Sequence, residues 1–114
     1  MMRAAVEGML TAQTLDAIVY PTSSRRPGMI ADTGAPVGVA APSATEFANL
    51  TGFPDLIVPA GFTGDNLPVG ISFFGPAFSE PKLIALGYSF EQATHARRRP
   101  VHPPARPGEA VTVP

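Results

Sequence analysis

Residues 49–75 read NLTGFPDLIVPAGFTGDNLPVGISFFG, and no other stretch limits the possible folds of this chain as strongly. It holds two apolar runs, residues 56–58 and 69–74, each fenced by proline and glycine. Proline has no N–H to give a sheet ladder, and glycine enters turns without steric cost, so both runs must be short. Pro59 closes the first run, Pro68 opens the second, and Gly75-Pro76 closes it. Between them Gly61, Gly64, Asp65 and Asn66 supply turn residues, and so short a connection makes the two strands antiparallel partners. Strand alternation puts Ile71 and Phe73 on one face and Gly70, Ser72 and Phe74 on the other. Asp55 opens an otherwise apolar strand, and the sequence by itself assigns it no partner.

The flanking segments supply covers for such a hairpin. In residues 1–14, Met2, Val6, Met9, Leu10 and Gln13 recur at spacings of three and four with Arg3 and Glu7 off the stripe, which predicts a helix covering a sheet face. Residues 15–20, LDAIVY, are continuous and rich in β-branched types, as in a strand buried on both faces, with Pro21 as its stop. Ser43 and Glu46 fit a capping box that starts a short helix bearing Phe47 and Leu50 on one side and ending at Gly52. Ser79 caps a final helix with Glu80 and Pro81 in its first turn. Its stripe is Leu83, Ile84, Leu86, Gly87 and Phe90, and it runs to about Ala96. Residues 22–42 have no period, and a loop of about twenty residues in a compact domain is functional, covered by a partner or disordered. Residues 97–114 form a Pro-rich tail, read as extended or disordered. The expectation is an α/β fold over residues 1–96: a mixed sheet of three to four strands covered by an N-terminal and a C-terminal helix.

Composition excludes several classes. A chain of 114 residues at 45% hydrophobic is enough for one small globular domain. The net charge of -1 gives no field to recruit nucleic acid or an anionic membrane. The apolar runs are far short of the roughly 20 residues of a membrane helix. Glu7 breaks what would be the apolar region of a signal peptide, and the absence of cysteine fits a reducing, cytoplasmic setting. His95 and His102 have only Glu91 at a usable spacing, four residues before His95, so no metal is expected. The arginines 97–99 complement a helix C-terminus and lack interleaved aromatics, so no nucleic-acid surface is expected. No Walker or dinucleotide glycine loop is present, and no cofactor is expected.

Taken in order, a helix, LDAIVYPT, a loop, NLTGFPDLIVPAGF, LPVGISFFGPAFSE and a helix bearing Tyr88 and Glu91 resemble the C-terminal segment of the amidase signature family of hydrolases. The match runs from about Leu15 to Arg99. Gly52, Pro54, Pro59-Ala60-Gly61 and Leu67-Pro68-Val69-Gly70 carry it as a set. The resemblance implies part of an α/β fold with a large mixed sheet, and hydrolysis of carboxylic amides by a Ser–Ser–Lys triad in the full-length relative. A serine hydroxyl attacks an amide only once a base takes its proton, and backbone N–H groups must hold the oxyanion.

In the family those residues lie on an early lysine and a Gly-Gly-Ser-Ser-Gly-like stretch, and neither is present here. The only lysine, Lys82, reads as a solvated helix residue, and the Ser23-Ser24 pair has no flanking glycines. No catalytic residue can therefore be carried over. Thr22, Ser23, Thr45 and Asn49 are the candidates for a wall of the substrate pocket; the alternative for each is backbone hydrogen bonding in a turn or at a helix end. Arg25-Arg26 is a candidate pair for a substrate carboxylate. Pro42 stands near the place where glutamine-using transamidating members carry an acidic residue, which points toward a general amidase. The implied partners are a small amide substrate, in the context of the full enzyme, and a missing N-terminal segment. The alternative is a non-catalytic interaction protein or split subunit that completes a sheet with a separate N-terminal amidase chain.

Overall fold

The computed structural model describes residues 1–23, 45–99 and 108. Helix α1 spans Met2–Ala12, strand β1 Ile18–Pro21, helix α2 Glu46–Thr51, strand β2 Asp55–Phe62, strand β3 Pro68–Phe74 and helix α3 Glu80–Thr94. The strands form one sheet in the order β1-β3-β2. The hairpin pairs as its punctuation implies, and β1 pairs antiparallel to the far side of β3. The expected sheet between an N-terminal and a C-terminal helix is therefore there, and its described strands number three, all antiparallel.

The hairpin shows how punctuation becomes geometry. The register shifts between Pro59 and Gly61, so Ala60 has no partner across the ladder. This bulge sits where proline cannot donate and where Gly61 takes a φ of 138°. At the turn, Thr63 N–H donates to Leu67 O at 2.8 Å and Asn66 takes a φ of 61°. Asparagine tolerates that left-handed conformation better than most residues.

The two faces of the sheet are covered by different helices. On one face lies α3: Leu83 is 1% exposed, and the Phe73 and Phe90 rings meet edge-on at 5.9 Å. Gly87 lets the helix close onto β2, since a Cβ there would stand 2.6 Å from Leu56 Cδ2. On the other face Val6 and Leu10 of α1, Phe53 and Phe74 form a buried cluster. Ile18, Tyr20, Ala48 and Ala77 pack around it. Adjacent residues of β3, Phe73 and Phe74, thus serve opposite faces, as alternation requires.

Several sequence expectations change. The first strand is Ile18–Pro21 and not residues 15–20. Leu15 N–H donates to Leu10 O at 2.9 Å and Thr14 takes a φ of 52°, so these residues close α1. Pro21 is the last residue of the strand, which an outer strand permits. Val19 is 50% exposed, so β1 is not buried on both faces. Helix α2 begins at Glu46 with Thr45 as its N-cap, so Glu46 does not occupy the third helical position that a box with Ser43 requires. Ser43 itself lies outside the described residues. Phe47 and Leu50 are exposed rather than packed, and α3 stops at Thr94, where His95 adopts a left-handed cap. The tail beyond Arg99 lies outside the described residues apart from Gly108.

Candidate functional site

A polar network crosses the sheet on the α1 face. Tyr20 of β1 stands opposite Ser72 of the central strand, and Asp55 of β2 stands opposite Phe74, two residues further along β3. Residues two apart share a face, so Tyr20, Ser72 and Asp55 point to the same side. The Tyr20 hydroxyl reaches over β3 and donates to Asp55 Oδ2. Ser72, 0% exposed, shares a hydrogen bond of 2.9 Å with Thr22 Oγ1. Thr22 is held by its own backbone as well, its N–H donating to Gly70 O at 3.0 Å. Gly70 leaves the room for this: a Cβ there would lie 3.1 Å from both Thr22 Oγ1 and Ile57 Cγ2.

The electrostatics follow from that placement. Burial first, then the Asp55 carboxylate as hydrogen-bond partner and as charge, push the Tyr20 phenol up to about 12; the Ser72 hydrogen bond opposes them. Removing the phenol proton would set a phenolate against a carboxylate. Asp55 Oδ1 is buried and finds no hydrogen-bond partner among the described residues, so Tyr20 is the group that satisfies this carboxyl.

Of the four expected wall residues, Thr22 and Ser23 lie at the exit of β1, and Thr45 and Asn49 lie on α2. Ala48 of α2 packs against the Phe74 cluster, so α2 belongs to the same side of the sheet as Thr22. Thr22 is partly buried within the network, whereas Ser23 and Asn49 are exposed and Thr45 is the N-cap of α2. Ser24, Arg25, Arg26, Pro42 and His102 lie outside the described residues. Lys82 is paired with Asp16 in an exposed ion pair, 55% and 68% exposed respectively, at the start of α3. It is not buried. Among the described residues no cluster of three or more His, Cys, Asp or Glu could hold a metal, and no helix is long and apolar enough to cross a membrane. A depression of about 300 Å³ lies elsewhere, between α1, the turn after it and Pro76; Glu7, Thr11, Thr14 and Asp16 line it, and none of the four wall candidates does.

Sequence reasoning did not find Tyr20, Ser72 and Asp55 as a unit. A signal existed: each is a polar side chain in an otherwise apolar strand, and a polar group taken from water needs a partner. Register decides which partner, and register is not written in any single strand.

The likeness to known proteins extends over most of the chain. A family model described as Amidase matches residues 1–84. A glutamyl-tRNA(Gln) amidotransferase component from Desulforudis audaxviator is 48% identical over 65 residues, covering 56% of this chain and 12% of that protein. A putative amidase from Mycobacterium tuberculosis is 38% identical over 85 residues, covering 68% of this chain and 17% of that protein. The solved structure of a peptide amidase from Stenotrophomonas maltophilia superposes with a TM-score of 0.64 at 37% identity, covering 85% of this chain and 19% of that one. The chain thus spans less than a fifth of the length of each of these relatives.

Proposed function

The chain belongs to the amidase family, and on that footing we propose that it is the C-terminal, pocket-wall part of a hydrolase of carboxylic amides. It supplies sheet strands and one side of the substrate pocket through Thr22, Ser23, Thr45 and Asn49. It supplies no catalytic residue. The observation that carries this reading is the pairing of Lys82: the one lysine of the sequence sits in water against Asp16. A lysine that deprotonates a serine must instead be kept neutral by burial or by a neighbouring cation. The serine and lysine of a Ser–Ser–Lys mechanism would come from the part of the relatives that this chain does not span.

The test is an amide hydrolysis assay with the purified chain on a panel of simple carboxamides. The expected result is no turnover above the uncatalysed rate. Turnover that disappears in Ser23→Ala or Ser24→Ala would place a nucleophile in this chain and end the proposal.

A second reading has its own support: the chain as a non-catalytic interaction or split subunit that completes a sheet with a separate amidase chain. Among the described residues β1 and β2 each pair only with β3, so both outer edges carry free backbone groups. Val19, Ile57, Phe47 and Leu50 are 50%, 52%, 53% and 66% exposed. Mixing the chain with an N-terminal amidase chain separates the two readings. Turnover regained from two separate chains favours the split subunit, and turnover only from one continuous chain favours the first.

A further inference from the structure

The tight turn between β3 and α3 holds an aromatic side chain out of the protein. Ser79 N–H donates to Pro76 O at 3.2 Å and Ser79 Oγ donates to the same oxygen at 2.7 Å, which closes residues 76–79 into a turn. Its third residue, Phe78, takes a φ of 62°. A left-handed residue in that place is ordinarily glycine or asparagine, because a Cβ is crowded there. Phe78 stands there all the same, and it is 92% exposed. Both neighbours fix it so: Ala77 packs inward against the Val6, Leu10, Phe53 and Phe74 cluster, and Ser79 is the N-cap of α3. Burial among the described residues does not offset the strain.

A hollow lies beside this knob. The depression of about 300 Å³ between α1, the turn after it and Pro76 has Leu10, Leu15 and Pro76 as its apolar lining, and Phe78 of the same chain is not part of that lining. Phe78 is two residues from Pro76, and Ala77 between them packs on the cluster that contains Leu10. Two residues of chain span at most about 7 Å, so knob and hollow share one patch of surface. A cavity of about 150 Å³ lined by hydrocarbon already takes a benzene ring, so the hollow has room for a benzyl side chain. A knob and a hollow side by side on one chain are self-complementary about a twofold axis, because each copy can give its knob to the other's hollow.

We propose that this patch is an interface between two copies of the chain, in which Phe78 of each enters the hollow of the other between Leu10, Leu15 and Pro76. The area sets the strength. Two phenylalanine side chains bury about 150–250 Å² each, and the walls that receive them about as much again, which makes roughly 600–1,000 Å² in all. That falls below the roughly 1,200 Å² of a stable interface and within the transient class. The pair is therefore weak, with a dissociation constant on the order of 100 μM. The inference stands apart from the pocket-wall reading, since none of Thr22, Ser23, Thr45 and Asn49 lines the hollow.

The experiment is sedimentation equilibrium of the full chain from about 10 μM to about 1 mM. Wild type is expected to pass from monomer toward dimer over that range. Phe78→Gly should weaken association about tenfold or more. Its urea midpoint at low concentration should stay the same or rise, because glycine suits the left-handed turn and no buried contact is lost. Thr11→Trp is a second arm that keeps Phe78: Thr11 lines the hollow, the indole fills it, and association should weaken likewise. A chain that stays monomeric at about 1 mM overturns the proposal, as does a dimer that survives either substitution unchanged. A lower urea midpoint in Phe78→Gly would show that Phe78 is held by its own chain, and overturns it as well.

Discussion

The two faces of this small sheet are built on different physics. The α3 face is closed by apolar contact: Leu83 at 1% exposure, Phe73 against Phe90, and Gly87 seated on Leu56 and Val58. The α1 face is apolar only near Phe74, where Val6, Leu10 and Phe53 gather. Further along the same strand it turns polar, where Tyr20 is tied to Asp55 and Thr22 to Ser72. Apolar burial tolerates exchange of one hydrocarbon for another, whereas a buried polar network depends on every member. One face therefore holds by hydrocarbon packing, and the other depends on specific polar pairs.

The contrast can be broken most forcefully at Leu83. Leu83→Ala removes a side chain with almost no contact with water and should cost about 2–5 kcal/mol in urea unfolding. A loss below about 1 kcal/mol would mean that α3 does not hold its face as described.

The polar face should answer with coupling rather than with size. Tyr20→Phe leaves Asp55 without its donor, and Asp55→Ala leaves the phenol unsatisfied, each at about 1–3 kcal/mol. The double variant should cost less than the sum of the two, by an interaction energy of about 0.5–3 kcal/mol. Additive costs would show that the two groups do not act as a pair.

Titration probes the same pair from another side. The Tyr20 phenol is raised from 10.0 to about 12 in the folded chain. Between these values the unfolded chain has lost this proton and the folded chain has kept it, so unfolding becomes easier as pH rises. The Tyr20 contribution should be fully present below pH 10 and fade as pH climbs toward 12. Comparing wild type with Tyr20→Phe isolates it; identical alkaline profiles would remove Tyr20 from the network.

The smallest effect is expected at Lys82. Both it and its partner Asp16 are exposed, and exposed pairs contribute about 0–1 kcal/mol. Lys82→Ala should change thermal stability little, and less still at high salt. A large loss would give Lys82 a role that its position does not explain.

What the sequence made legible follows the same division. The hairpin was readable because Pro59, Pro68 and the glycines act on their own backbone. The same holds for Gly52, which closes α2 with a φ of 66°. Val6 and Leu10 on α1, and Leu83 on α3, were readable because helical periodicity is a local property. Phe47 and Leu50 share that periodicity and are exposed all the same, because pattern states which residues could be buried and only a packing neighbour buries them. The Tyr20–Asp55 bond joins residues on two strands that do not touch, so it depends on how both register against β3. Thr22 was singled out as a wall residue from the family resemblance, but its link to Ser72 comes from the register alone. The family was legible because the proline and glycine positions that shape the backbone are also the positions that carry the resemblance.

The most direct measurement is a graft. Residues 15–96 would replace the corresponding segment of the Stenotrophomonas maltophilia peptide amidase, whose structure this chain matches over 85% of its length. Amide turnover by the graft is the expected result if, as proposed, the host supplies the reactive residues and this segment the sheet and pocket wall. A graft that folds cooperatively, as judged by its melting transition, and yet hydrolyses no amide would contradict the assignment of this chain as the wall of an amidase pocket.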